Sequence, residues 1–334
     1  MTYLEEAKSP DFKDQKTGLV VFGILQIILG GICALLVPLI ILSMIVSTAH
    51  DNIPARSMSA GTTIPGVMLY ALLAIWLIWM GIGSIKARRW ARALILVSSW
   101  FWIIGGIIGL LFMLLLMPDM YDQMGRNEQM PQAMPVIVKY LMTGFMAVIG
   151  VVIPGVLILF YGRKNVKLTC EFRDSRVRWT DKCPLPVLLV SFFFGFGAVS
   201  MLFTGFSGWV IPFFGFILSG LAGAGITLVV ILLLGYVAWG TYKLSVKVWL
   251  CAVLVIIAGT LSIGITFSRA SVWDFYEKMN FPEQQLEMMK PSLIQHGSTL
   301  LLLFGILLIG FLVYLLYTKR YFETSSKESQ MAPS

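Results

Sequence analysis

Charge is the scarcest property of this chain. Only 13% of its 334 residues are Asp, Glu, Lys or Arg, against 58% that are apolar, whereas a soluble domain is about a quarter charged. That balance excludes ordinary globular, disordered and fibrous proteins. Between Cys183 and Tyr242 there is no Asp, Glu, Lys, Arg or His. Histidine is limited to His50 and His296, and cysteine to Cys33, Cys170, Cys183 and Cys251. Cys170 and Cys183 have no neighbouring His or second Cys pair, which argues against zinc and for reduced thiols. The motifs GxSxG, HExxH, Walker A and GxGxxG opening a soluble helix are also missing, so the hydrolase, metalloprotease and nucleotide-binding templates find no support.

Long apolar runs fill the chain instead. Segments 19–46, 64–85, 93–117, 136–160, 187–206, 219–242, 248–268 and 298–317 each approach or exceed the roughly 20 residues needed to cross hydrocarbon. They are continuous rather than alternating, and a backbone in lipid must satisfy its own polar groups, so helices are expected and a barrel is not. The fold class is therefore all-α: a polytopic membrane protein with eight transmembrane helices. The first 18 residues are polar and the run after them is too long for a signal h-region, so the first span reads as a retained anchor.

Lys and Arg sort the loops. One side holds the N-terminal tail, the 2–3 loop with Lys86, Arg88, Arg89 and Arg92, the cation-rich 4–5 loop from Arg163 to Lys182, and Lys243, Lys247, Lys319, Arg320 and Lys327. The other side has Arg56, Arg126, Arg269, Lys278 and Lys290. By the positive-inside rule both termini are expected to be cytoplasmic, and a bacterial-type inner membrane is the expected location. Membrane lipids with anionic headgroups are the natural partners of this basic excess, with a second membrane protein as a further one. Nucleic acid is not expected, because the 4–5 cations are dispersed between two spans.

The two halves resemble one another. Trp90 after GSIKARR pairs with Trp249 after GTYKLSVKV. Tyr121-Asp122-Gln123-Met124 pairs with Tyr276-Glu277-Lys278-Met279, and Glu128-Gln129 with Glu283-Gln284. Pro135 and Pro291 each precede a span that ends at Tyr161 or Tyr317. Four spans per half imply two tandem parallel four-helix repeats, 1–169 and 170–334, related by an axis along the membrane normal. The polar segment after Phe322 reads as a disordered tail.

Ionisable groups inside spans are the usual markers of function. Lys139 alone qualifies, and at the edge of span 4 it can snorkel outward. His50, His296 and the methionines Met113, Met117, Met120 and Met124 suggest a soft metal at most weakly, since Met ordinarily fills irregular packing. No metal, cofactor or catalytic residue is assigned.

Two sets of residues stand out. The duplicated outer loops present Tyr121, Asp122, Glu128, Gln129, Tyr276, Glu277, Glu283 and Gln284 as a candidate interaction surface. Residues 282–290 read there as a short helix stopped by Pro291. Gly105 and Gly109, and the stripe Gly215, Ser219, Gly223 and Thr227, are candidates for close helix packing. The Gly- and aromatic-rich stretch 203–223 around Pro212 reads as an outer re-entrant loop or interfacial turn.

Three functions follow. The first is a non-catalytic accessory, scaffold or lipid-interacting protein. The second is a transporter or channel for a neutral or amphipathic molecule at the seam between halves, served by Gln26, Ser98, Ser99 and Thr143. The third is an interfacial enzyme using outer carboxylates on lipid-linked substrates.

Overall fold

The computed structural model describes residues 12–49, 60–125, 134–281 and 283–331. In chain order the helices are α1 (Lys16–Ala49), α2 (Ala60–Ile85), α3 (Arg89–Gly125), α4 (Met134–Ala147), α5 (Ile153–Tyr161), α6 (Lys164–Arg173), α7 (Leu185–Leu202), α8 (Gly220–Tyr242), α9 (Val246–Phe267), α10 (Val272–Glu277) and α11 (Glu283–Met331). Strands β1 (Ile211–Phe213) and β2 (Phe216–Leu218) separate α7 from α8. Among the described residues, eight helical stretches are long and apolar enough to cross a membrane, at Lys16–Ser43, Ile64–Ile85, Arg89–Leu114, Val136–Tyr161, Leu185–Ser207, Gly220–Tyr242, Val246–Phe267 and Met289–Thr324. The protein is thus a multi-pass, helical membrane protein.

Span 4 is α4 and α5 joined by a π-helical turn, Val148–Val152. The cause is local. Pro154 has no N–H for the carbonyl of Gly150, and its ring would strike that carbonyl in a regular helix. The Ile153 N–H instead reaches five residues back to Val148 O. The Gly150 carbonyl lies against Gly106 of α3, where a Cβ could not fit. Gly106 and Gly109, which faces Met146, make the α3–α4 approach, whereas Gly105 faces open space. The small-residue packing expected of Gly105 therefore shifts by one residue. α1 and α2 also approach through glycines: a Cβ on Gly23 would meet Gly81 O at 2.8 Å, and one on Gly81 would meet Gly23 O at 2.6 Å.

Among the described residues two hydrophobic clusters form the core, and α3 serves both. Its Ala91, Leu94 and Ile95 join Leu19, Met80, Leu157, Phe160 and Tyr161 from the first four spans. Its Ala93 and Val97 join Val187, Phe194, Val237, Trp249, Leu315 and Phe322 from the last four. These positions fall on two faces of one helix, so α3 is a wall shared by the halves.

The turns α2–α3 and α8–α9 have one geometry. Ala87 and Leu244 both adopt the left-handed region, at φ 50° and 57°. The Ala87 N–H donates to Ser84 O and the Arg88 N–H to Gly83 O, at 2.8 and 2.9 Å. Likewise the Leu244 N–H donates to Thr241 O and the Ser245 N–H to Gly240 O, at 2.9 and 3.1 Å. This is the paired bonding of a helix stop closed by a left-handed residue. A Cβ on Gly83 would meet Ala91 Cβ at 2.6 Å, and one on Gly240 would meet Val248 Cγ2 at 2.5 Å. In that register Trp249 matches Arg92, not Trp90. Both side chains do the same job, since Arg92 Nε donates to Tyr161 O at 3.0 Å and Trp249 Nε1 to Leu315 O at 3.0 Å.

Residues 203–218 hold a 3-10 turn (Phe203–Ser207) and an antiparallel hairpin in which Phe213 pairs with Phe216. Phe214 (φ 41°) and Gly215 (φ 98°) form its two-residue turn, the double positive φ that suits strand twist. An open sheet edge is costly near lipid, and side chains close this one. Ser262 Oγ accepts from the Phe214 N–H (3.0 Å) and donates to Pro212 O (3.2 Å). Thr266 Oγ1 accepts from the Gly215 N–H (3.0 Å), and Lys278 Nζ donates to Ile217 O (2.9 Å). The helical stripe expected from Gly215 to Thr227 is therefore corrected. Gly215 sits in the turn and Ser219 precedes α8, and only Gly223 and Thr227 are helical. Gly223 packs against the Trp209 carbonyl, a loop rather than a second helix.

Two further expectations change. Pro291 does not stop the outer helix: α11 runs through it, and Ser292 and Leu293 bury directly afterwards. The stretch after Phe322 is helical to Met331, anchored by Phe322 at 0% exposure and by the Lys319–Glu323 pair.

Candidate functional site

Of the eight outer residues expected to form a surface, Glu128 and Gln129 lie outside the described residues, as do the side chains of Tyr121, Asp122 and Gln284. Glu277 and Glu283 are exposed. Tyr276 turns inward, its ring 6.2 Å from Phe281. His50 also lies outside the described residues, while His296 is half-buried in α11.

The seam between the halves is aromatic. Phe101 of α3 lies 6.3 Å from Phe193 and 6.4 Å from Phe196, and Phe193 stacks on Phe311 of α11 at 3.8 Å. Towards the turn side, Phe192 lies 6.4 Å from both Trp76 and Trp179. Two of the residues suggested for a transport path spend their hydroxyls within their own helices. Ser98 Oγ donates to Leu94 O in its own helix and accepts from Trp76 Nε1, and Thr143 Oγ1 donates to Lys139 O. Gln26 is 5% exposed, with Oε1 unpartnered among the described residues.

Chemistry concentrates on the basic face, where the segment between α5 and α7 folds rather than linking loosely. Val166, Thr169 and Cys170 recur at helical spacing and bury the inner side of α6 against α1, α3 and α5. The boundary expected at 169/170 thus falls inside this helix. The Gln15 N–H donates to Thr169 Oγ1 at 3.0 Å, tying in the start of the chain.

Asp174, at the end of α6, is 2% exposed and central to an ion lattice. Arg178 donates to both its oxygens, Nε to Oδ2 at 3.0 Å and Nη2 to Oδ1 at 2.9 Å. Arg88 Nη1 and the Arg89 N–H add bonds at 3.3 and 3.4 Å. Burial pushes the Asp174 carboxyl up, but these donors and the neighbouring guanidinium charges outweigh it and hold it below the usual carboxylate range. Arg89 bridges Glu171 at 3.4 Å and Asp181 at 3.6 Å. Arg173 pairs with Asp14, whose carboxyl is lowered chiefly by that hydrogen bond. Burial pushes the thiols of Cys170 and Cys183 up to about 12.

Beneath this lattice Ser84 Oγ donates to Leu19 O at 2.8 Å and shares a 2.6 Å hydrogen bond with Tyr161 Oη. Spans 1, 2 and 4 are thereby locked together at their basic ends. A cleft of about 460 Å³ opens beside the lock, lined by Lys16, Ile85, Lys86, Ala87, Arg88 and Arg173. Reading the cations as a topology signal missed the acids between them. The helical i,i+4 pair Lys167–Glu171, and the acid Asp174 set among Arg173, Arg176 and Arg178, were the available clue.

Comparison with protein-family models, with curated proteins and with solved structures finds no match to this chain.

Proposed function

We propose that this protein is a non-catalytic membrane protein, an accessory, scaffold or lipid-interacting subunit that acts by binding membrane lipids or a membrane partner. On this reading it is built as two tandem parallel four-span repeats that meet in the segment between α5 and α7, with both termini on the cytoplasmic side of a bacterial-type inner membrane. The observation that carries the functional reading is the aromatic seam. A substrate path between repeats requires polar groups converging on a wettable gap, and the ring ladder Phe101–Phe193–Phe311 occupies that position. A seam packed in this way makes the helices a fixed support, and leaves the faces and the lipid-exposed surface to do the work. The repeat reading draws support from the shared geometry at Ala87 and Leu244 and the equivalent ties made by Arg92 and Trp249.

The test is purification of the full chain in mild detergent, with identification of bound proteins and lipids by mass spectrometry. Stoichiometric retention of a second membrane protein or of a defined lipid is expected. A monodisperse protein that retains neither, yet moves a small solute in proteoliposomes, would defeat the reading.

A further inference from the structure

We infer that the cleft between the start of α1 and the α2–α3 turn is a binding site for the phosphate of an anionic membrane lipid. This deepens the lipid-binding reading above and rests on it.

Four of the cleft's six lining residues are cationic (Lys16, Lys86, Arg88 and Arg173), and none is acidic. Their supply of donors is uneven in a useful way. Arg88 and Arg173 are each held by a carboxylate outside the lining, Asp174 and Asp14 respectively, which fixes the guanidinium groups. Each guanidinium carries five N–H donors, more than one carboxylate uses. Lys16 and Lys86 are exposed and have no acidic partner among the described residues. Counting the two carboxylates against the four cations leaves an excess of two positive charges, which suits a phosphodiester or phosphomonoester. The floor is rigid, because the Ser84–Leu19 and Ser84–Tyr161 hydrogen bonds lie just below it. At about 460 Å³ the volume is within the range of small-ligand sites, about 300–1,000 Å³.

Position selects a lipid over a soluble anion. Lys16 begins span 1 and Lys86 directly follows span 2, so the cleft lies at the depth of headgroup phosphates. Exposed Ile82 of α2, one turn before Lys86 on the same helix face, leads from it into the bilayer as an apolar track for an acyl chain.

Native mass spectrometry of the full chain in mild detergent tests the site, with dioleoylphosphatidylglycerol, dioleoylphosphatidylcholine and inorganic phosphate as separate probes. Wild type should prefer the phosphatidylglycerol. Replacing both lysines (Lys16→Gln with Lys86→Gln) should weaken that binding about 25-fold, at about fivefold per lysine. The charge-matched control Lys243→Gln with Lys247→Gln, elsewhere on the face, should change it less than about twofold. Equal losses in the two variants would overturn the site in favour of diffuse attraction. So would inorganic phosphate binding without any preference for phosphatidylglycerol. If the lysine pair has no effect while lipids or a partner still co-purify, the cleft is wrong and the broader reading stands.

Discussion

Gly105 and Gly106 are neighbours on α3, and replacing each with alanine should move stability in opposite directions. A methyl on Gly106 would overlap the carbonyl of Gly150, the group that Pro154 leaves without a helical donor. The π-turn and α3 would have to separate, and overpacking of this kind costs about 1–3 kcal/mol. Alanine recovers about 0.5–1 kcal/mol of helix propensity over glycine. Gly106→Ala should therefore lose up to about 2.5 kcal/mol net. Gly105 has nothing within 4 Å of its would-be Cβ, so Gly105→Ala should gain about 0.5–1 kcal/mol. No loss of water-exposed surface is involved in either variant, so the comparison isolates packing. The assay is thermal unfolding of the purified variants in one detergent, read by tryptophan fluorescence. A Gly105→Ala variant that melts at or below Gly106→Ala would refute the reasoning.

Asp174→Asn should destabilise the protein by about 1.5–3 kcal/mol, the usual worth of hydrogen bonds to a charged group, with the lower end favoured because Arg88 is 40% exposed. Because the folded carboxyl is held below its ordinary pKa, its contribution is complete above the unfolded value of about 3.9 and fades as pH falls through the folded one. Wild type should consequently lose stability more steeply than the Asn variant below about pH 4, as acid titrations of the melting curve would report. Ser262→Ala or Thr266→Ala removes the acceptor for a hairpin N–H and should cost about 1–3 kcal/mol. The accompanying sign is faster hydrogen exchange at Phe214 or Gly215. With thiols raised to about 12 by burial, Cys170 and Cys183 should resist a water-soluble maleimide at neutral pH until the protein is denatured. Mass spectrometry of labelled peptides decides this.

The eight spans were legible because twenty apolar residues leave a chain in lipid few choices. The rest depended on partners distant in sequence. Ala87 and Leu244 take left-handed conformations without being Gly or Asn, so neither announces its turn. The hairpin turn Phe214-Gly215 lacks the Asn-Gly signature, and its edge is satisfied by Ser262 and Thr266 some fifty residues away. Pro291 looked like a terminator because the burial of Ser292 and Leu293 that carries α11 past it is tertiary. On the basic face, α6 was hidden by its own cations, whose density masked Val166, Thr169 and Cys170 at helical spacing. Asp174 could not be distinguished from a solvated acid until Arg88 and Arg178 were seen around it.

Pro212 has no amide hydrogen to offer, its carbonyl is taken by Ser262, and the Ile217 carbonyl is taken by Lys278. A foreign peptide arriving edge-on would find those groups already engaged, so the two-stranded ribbon is a poor template for strand addition. Ser262 of α9 and Lys278 just after α10 thus guard the ribbon's outward carbonyls against polymerisation edge to edge.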